Sequence, residues 1–138
     1  MRLDLYQAET DRIATQQGTL LRQAKNILAQ GQSLSQLEQG GVLHALQVLI
    51  ENAIGKAKQA LKAHGQTVPI SAYDAFADLA NAGLLPKDEL AAWNAAVGLR
   101  NRIVHDYMNI DFDHIVSLLS ADKDGFIVEF LHRPIPDH

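Results

Sequence analysis

The fold of this chain depends on the stretch Val97-Gly98-Leu99-Arg100-Asn101-Arg102-Ile103-Val104-His105-Asp106-Tyr107. At about 100° per residue, the apolar side chains of residues 88–107 fall on one broad arc, which predicts an amphipathic helix. Arg100 lies in the middle of that arc. Because an unpaired buried charge costs several kcal/mol, this arginine must reach the surface, pair with an anion or serve a site.

Three polar side chains follow Arg100 closely. Asn101 and His105 are four residues apart, so on a helix they share the neighbouring polar face. Tyr107 comes seven residues after Arg100 and would return to the same side of a continuous helix. The stretch therefore predicts a cluster of one guanidinium, one imidazole with an amide neighbour, and one phenol.

The chain before this stretch is predicted to be helical. Apolar residues at spacings of three, four and seven indicate helices over residues 3–30 and 35–63, and the second has an apolar face wide enough to be central. In that second helix, Gly40-Gly41 marks either a kink or a late start. A shorter helix is predicted to begin at the capping box Ser71-Ala72-Tyr73-Asp74, to bury Tyr73 and to stop at Gly83.

The chain after the stretch is predicted to form one more long helix. Asp111 is a suitable N-cap, and the apolar stripe of residues 112–131 resumes in phase after Asp122-Lys123-Asp124-Gly125. No strand pattern or repeat is present in the sequence. The prediction is an all-α, up-and-down antiparallel bundle of four long helices plus one short helix, in a single domain over residues 1–138.

Composition excludes several classes of function. The chain has 138 residues, 47% hydrophobic, without cysteine, so no disulfide framework or thiolate metal site is possible. A net charge of -4 argues against a non-specific nucleic-acid coat protein. The N-terminus has no apolar signal region and no apolar run reaches membrane-spanning length, so a cytoplasmic protein is expected. No cofactor motif and no metal-ligand spacing of histidines occurs, so neither cofactor nor metal is expected.

The basic residues allow two interpretations. Arg100, Arg102, Lys56, Lys58 and Lys62 could form a local patch that grips RNA. Alternatively, the lysines form an ordinary solvated helix face, as charge runs usually do. Glu51 beside the apolar face of the second helix is similarly either the carboxylate that holds Arg100 or an ordinary exposed glutamate.

The pattern Arg100-Asn101-x-x-x-His105-x-Tyr107 resembles the R-x4-H-x-Y motif of HEPN-domain ribonuclease toxins of the HepT type. Residues 46–54, 73–85 and 109–116 are similar to other helices of that family. The resemblance implies a HEPN fold, a homodimer, and a bacterial toxin–antitoxin role with a small MNT-type nucleotidyltransferase as antitoxin. It also implies that the antitoxin adenylylates the motif tyrosine, here Tyr107.

The chemistry of the residues agrees with RNA cleavage that uses no metal. Histidine suits proton transfer and arginine suits the charged phosphorane, so Arg100 and His105 are the candidate catalytic residues of an endoribonuclease. Asn101 would orient His105 or bind a phosphate oxygen, and Glu51 and Arg102 would support the site. Because Arg100 and His105 are about 140° apart around a helix, two facing chains would pool these groups better than one.

Two other functions stay open at this point. A HEPN-type partner could present substrate to a nucleotidyltransferase and cut nothing itself, which the acidic net charge favours. A dimeric helical scaffold without any nucleotide-related role is the third alternative, and the misplaced charge of Arg100 argues against it. In the simplest alternative for the residues, Arg100 pairs with a surface carboxylate and His105 is only a cation at a helix C-terminus.

Overall fold

A computed structural model of the chain describes residues 2–135, and within them every regular element is helical. Six α-helices and two 3-10 turns follow one another, so the predicted all-α antiparallel bundle is confirmed. No helix in this part of the chain is long and apolar enough to cross a membrane. The α-helices are α1 (Leu3–Ala29), α2 (Gln36–Ala63), α3 (Ala72–Asn81), α4 (Leu90–His105), α5 (Phe112–Ser120) and α6 (Gly125–His132).

Helix α2 is the centre of the bundle, as its wide apolar face predicts. It packs against α1, α3, α4 and α6. It begins at a complete capping box, in which the Ser35 hydroxyl accepts from the Glu38 backbone N–H and the Glu38 carboxylate accepts from the Ser35 N–H. The helix therefore starts before Gly40-Gly41, and the interpretation of these glycines as a late start is wrong.

An aromatic cluster around Trp93 joins three helices. The indole on α4 is fully buried and stacks on Phe76 of α3, with ring centroids 4.4 Å apart and planes 10° apart. Phe126 and Phe130 of α6 meet it edge-on at 4.8 and 4.9 Å. Such pairs add to the free energy of burial, so this cluster fixes where α4 lies on the bundle. Trp93 therefore serves core packing.

The prediction of one long helix over residues 112–131 is wrong, because this segment forms two helices, α5 and α6, separated by a turn. Asp122 takes a left-handed conformation with φ 54°, which ends α5. Lys25 of α1 holds the break through ion pairs of 2.9 Å to both Asp122 and the buried Asp124. The apolar stripe resumes in phase, which is why periodicity alone does not reveal the turn.

Helix α4 is also shorter than predicted. It follows a 3-10 turn at Lys87–Glu89 and ends at His105, where Asp106 leaves the helical region at φ -143°. Tyr107 belongs to a second 3-10 turn, Tyr107–Asn109, which a hydrogen bond from the Asn109 amide to the Asp106 carboxylate closes at 2.7 Å. The prediction that Tyr107 continues the helical face of Arg100 is therefore wrong.

A buried lysine ties the end of the chain to α2. Lys56 is 2% exposed, and its ammonium donates to the carbonyls of Phe130 and Leu131 at 2.9 Å and to that of Arg133. These are the last carbonyls of α6, where a cation is favourable. Burial nevertheless dominates and lowers the pKa of Lys56 from 10.5 to about 8.

This lowered pKa predicts how stability depends on pH. Between about pH 8 and 10.5 the unfolded chain keeps a proton on Lys56 that the folded chain has released. The free energy of unfolding should therefore rise with pH in that window, by about 2–3 kcal/mol relative to a Lys56→Met variant. Urea unfolding of both proteins across this range measures the difference, with Lys87→Met as the exposed control. A difference that stays flat or falls would mean that the carbonyl bonds outweigh burial.

Candidate functional site

Arg100 is held by a carboxylate on the neighbouring central helix. Its Nε and Nη2 donate to one oxygen of Glu51, at 3.1 and 2.9 Å, and its Nη1 donates to the Asn101 side-chain oxygen at 3.0 Å. The side chains of Arg100 and Glu51 are 29% and 36% exposed, so the pair lies at the edge of the core. Of the three possibilities for Arg100, the structure shows pairing with an anion.

The packing of α4 against α2 brings these residues together. Val97, one turn before Arg100, is buried, and so is Ile50, the residue before Glu51. The two helices run antiparallel, since Arg100 meets Glu51 while the later Tyr107 meets the earlier Gly40. The side chain of Arg100 therefore extends toward α2, where its guanidinium meets the Glu51 carboxylate. Of the two interpretations of Glu51, the structure supports the one in which it holds Arg100.

A cavity of about 410 Å³ opens beside this pair. Its remaining lining comes from α2, from the chain before α3, from the first turn of α3 and from α4: Ile54, Lys58, Ile70, Ser71, Ala72, Tyr73, Val97 and Asn101. Tyr73 is 42% exposed here, so the prediction that it is buried with the core face of α3 is wrong. Ser71 caps α3 by accepting from the Asp74 N–H at 3.3 Å, which fixes the first turn that carries Tyr73.

His105 lies away from this cavity within one chain. It is exposed, and it is the last residue of α4, about 7 Å along the helix axis from Arg100 and about 140° around it. The structure thus brings Arg100, Asn101 and Glu51 together, and His105 is not among the residues that line their cavity. The helical spacing of Arg100 and His105 does not aim both side chains of one chain at a single phosphate.

Tyr107 is accessible but far from Arg100. The side chain is 51% exposed, and its hydroxyl lies about 4.0 Å from the position of a side chain at Gly40 of α2. Gly40 precedes Glu51 by eleven residues, or about 16 Å along α2. A phosphate attached to the Tyr107 oxygen would therefore lie well away from Arg100 of the same chain.

The predicted basic patch does not form as one surface. Lys56 is buried at the end of α6, and Arg102 lies on the other side of α4, in a cavity with Asp111 and His114. Lys62 is exposed on α2, and only Lys58 lines the cavity of Arg100. Periodicity separates Arg100 and Arg102 by about 200° on a helix, so this outcome follows from their spacing. Arg102 is not placed to support Arg100 in the same chain.

Metal ligation finds no support in residues 2–135, where no group of three histidine, aspartate or glutamate side chains is close enough to hold an ion. His138 lies outside these residues. The candidate site therefore consists of a fixed guanidinium, an amide, a carboxylate and an open cavity, with an imidazole and a phenol further along.

Comparison with known proteins places the chain in a family. The model of the HepT-like family, described as ribonuclease HepT-like, matches residues 16–129. The chain belongs to this HepT-like ribonuclease family, as the resemblance of the motif predicts. A comparison with curated proteins gives no match.

Several solved structures share the fold. A crystal structure of a toxin–antitoxin with AMP-PNP matches with a TM-score of 0.75 and 20% identity, covering 91% of this chain and 97% of the other. A tri-AMPylated Shewanella oneidensis HEPN toxin in complex with an MNT antitoxin matches at 0.70 and 21%, covering 94% and 95%. A MntA-HpeT toxin–antitoxin variant with tyrosine replaced by alanine matches at 0.73 and 19%, covering 91% and 97%. These likenesses establish the HEPN fold.

The anchoring of Arg100 can be tested apart from any function. In Glu51→Gln the anionic acceptor is lost, and the guanidinium becomes mobile while the fold is retained, because half-exposed ion pairs contribute only about 0–1 kcal/mol. The Arg100 Nε–H should exchange with solvent at least several-fold faster by NMR. Glu129→Gln, which removes the exposed pair with Arg133, is the matched control. Unchanged exchange at Arg100 would contradict the assignment of Glu51 as its anchor.

Proposed function

We propose that this protein is a metal-independent endoribonuclease toxin that acts in the cytoplasm as a homodimer. Its antitoxin is an MNT-type nucleotidyltransferase, which adenylylates Tyr107. The observation that carries the proposal is the position of Arg100, a cation fixed at the edge of the core and open to a cavity. Family membership and the solved toxin–antitoxin relatives support the same function.

The arginine is suited to the charged transition state of RNA cleavage. Its Nε and Nη2 are occupied by Glu51 and one Nη1 bond by Asn101, and the other N–H groups stay available to a phosphate. A guanidinium whose direction is set before substrate binds costs no reorganisation when charge develops on the phosphorane. His105 supplies the proton-transfer group, a role for which the imidazole side chain is suited.

A second copy of the chain would complete the site. His105 is exposed at the end of α4, and large apolar side chains surround that end of the bundle without being buried: Leu37 is 88% exposed and Met108 90%. Val104 and Tyr107 are exposed there as well, although most of the apolar arc of α4 is buried in its own core. An apolar surface beside a lone catalytic imidazole favours a dimer interface that brings His105 of one copy to Arg100 of the other.

The alternative is a non-catalytic HEPN partner that presents substrate to a nucleotidyltransferase. The separation of Arg100 and His105 within one chain favours it over a monomeric nuclease. The dimer proposal removes this objection, so we retain the nuclease as the conclusion.

Loss of either catalytic group should abolish cleavage and growth inhibition. Arg100→Ala removes the cation and His105→Ala removes the proton-transfer group, and each should lower the cleavage rate about 100-fold or more. The products should carry a 2′,3′-cyclic phosphate or its opened form, and cleavage should persist in EDTA. Purified variants are assayed on RNA after circular dichroism shows that they are folded.

Matched controls separate this mechanism from general loss of charge. Arg22→Ala and His114→Ala each remove one exposed residue of the same type elsewhere in the bundle and should leave the rate unchanged. Full toxicity of Arg100→Ala or His105→Ala would overturn the mechanism. Cleavage that EDTA abolishes would overturn its metal independence.

Modification of Tyr107 should switch the toxin off. Incubation with the antitoxin and Mg-ATP should add about 329 Da per AMP to the phenol oxygen of this half-exposed side chain. Because Tyr107 is far from its own Arg100, the adenylate would block the cleft by its bulk and charge, at the interface with the partner copy. The added mass should map to Tyr107 and disappear in Tyr107→Phe, but persist in Tyr73→Phe. If the antitoxin silences Tyr107→Phe as fully as the parent protein, modification is not the switch.

A further inference from the structure

The cavity beside Arg100 is lined by an aromatic side chain, Tyr73, that is not buried in the core of the bundle. Tyr73 is 42% exposed, although neighbouring positions on α3 such as Phe76 are fully buried. Its hydroxyl rests on α4 at Gly98, 3.5 Å from where a side chain would begin, so the phenol lies across the helix that carries Arg100. A partly exposed tyrosine that packs against a helix and lines a cavity is suited to contact with a planar ligand.

A second cationic side chain, Lys58, lines the same cavity as Arg100. The Lys58 ammonium donates to the Ile70 carbonyl at 2.8 Å, which ties α2 to the chain before α3 and leaves two N–H groups for a ligand. With Arg100 and Glu51, the ionised residues lining the cavity sum to one net positive charge in a chain whose net charge is -4. Ile70, 95% exposed, adds an apolar surface next to the phenol.

We propose that this cavity binds one unpaired nucleotide of the RNA substrate, immediately beyond the two nucleotides that the cleaved phosphate joins. Tyr73 stacks on the base with Ile70 beside it, and Lys58 contacts the flanking phosphate. Single-stranded RNA is recognised in this way, by aromatic stacking combined with cations along the backbone. The cavity volume of about 410 Å³ lies within the range of sites that hold small ligands.

The inference rests on the proposed ribonuclease function and makes it more specific. The nuclease would act best where the nucleotide just beyond the cut pair is unpaired, and would cleave loops and single strands in preference to duplexes. Tyr73 and Lys58 would be binding residues, while the chemical step would remain with Arg100 and His105.

The experiment compares substrates that do and do not reach the cavity. Tyr73→Leu, Tyr73→Phe and Lys58→Gln are assayed on a dinucleotide and on oligonucleotides extended by single nucleotides on the 5′ or the 3′ side. Tyr73→Leu should lower kcat/KM about ten-fold or more on substrates extended on one of the two sides, and leave the dinucleotide unchanged. Tyr73→Phe, which retains the ring, should behave as the parent protein.

Lys58→Gln provides an independent measurement. It should weaken binding of the extended substrate and make that binding less steeply dependent on salt, because one phosphate contact is lost. Lys87→Gln, which removes an exposed lysine elsewhere, is the control. Melting temperatures of all variants are compared so that a folding defect is recognised.

Several outcomes would overturn the inference. An equal loss on the dinucleotide and the extended substrates would mean that Tyr73 supports the fold or the chemical step. Unchanged kinetics of Tyr73→Leu on both kinds of extended substrate would mean that no nucleotide binds here. Normal cleavage with lost association of the antitoxin would identify the cavity as a protein-docking surface.

The same experiment distinguishes failure of the ribonuclease proposal from failure of the nucleotide-binding proposal. If the parent protein cleaves none of these substrates, the proposed activity is wrong, and fluorescence anisotropy then measures RNA binding alone. Tyr73→Leu must still bind the extended oligonucleotide about ten-fold more weakly than the parent protein, or the subsite is rejected as well.

Discussion

The ion pair between Arg100 and Glu51 is the constraint on which the site depends. A positive charge within the apolar face of α4 is tolerated because a carboxylate on α2 receives it at 2.9 Å, at the edge of the core. That match requires α2 and α4 to pack in one register, which the surrounding buried residues and the Trp93 cluster determine. The same arrangement makes the side chain of Arg100 part of the lining of an open cavity.

Much of the fold can be predicted from the sequence, because its signals are local. Periodicity and caps locate α1, α2 and α3 to within a residue or two, and the misplaced charge of Arg100 singles out the site. The break between α5 and α6 escapes prediction because the apolar stripe stays in phase across it, and the Lys25 ion pairs that hold it come from a distant helix. The end of α4 at His105 is also not predicted from the sequence, because no glycine or proline follows it to mark the end of the helix.

The sequence predicts which residues belong to the candidate site better than it predicts how they are arranged in space. Arg100, Asn101 and Glu51 come together, while Tyr107 leaves the helix and Arg102 faces another cavity. Of the other residues that line the cavity of Arg100, Lys58 is predicted as one member of a basic patch, whereas Tyr73 is predicted to be buried. The signal was available for Tyr73, because an aromatic residue in the exposed first turn of a short capped helix has little core to cover. Sequence spacing cannot indicate that this turn lies against Gly98.

The separation of Arg100 from His105 makes dimerisation the central claim, and complementation between variants tests it most directly. Arg100→Ala and His105→Ala proteins, each inactive alone, are mixed so that subunits exchange, and heterodimers are verified by mass. In a heterodimer one composite site keeps an intact arginine from one copy and an intact histidine from the other. If the sites are composite, the mixture should regain about a quarter of the parent cleavage rate, because random pairing makes half of the dimers heterodimers and each heterodimer has one active site of two. No recovery in a preparation that contains verified heterodimers would mean that the sites are not shared between copies.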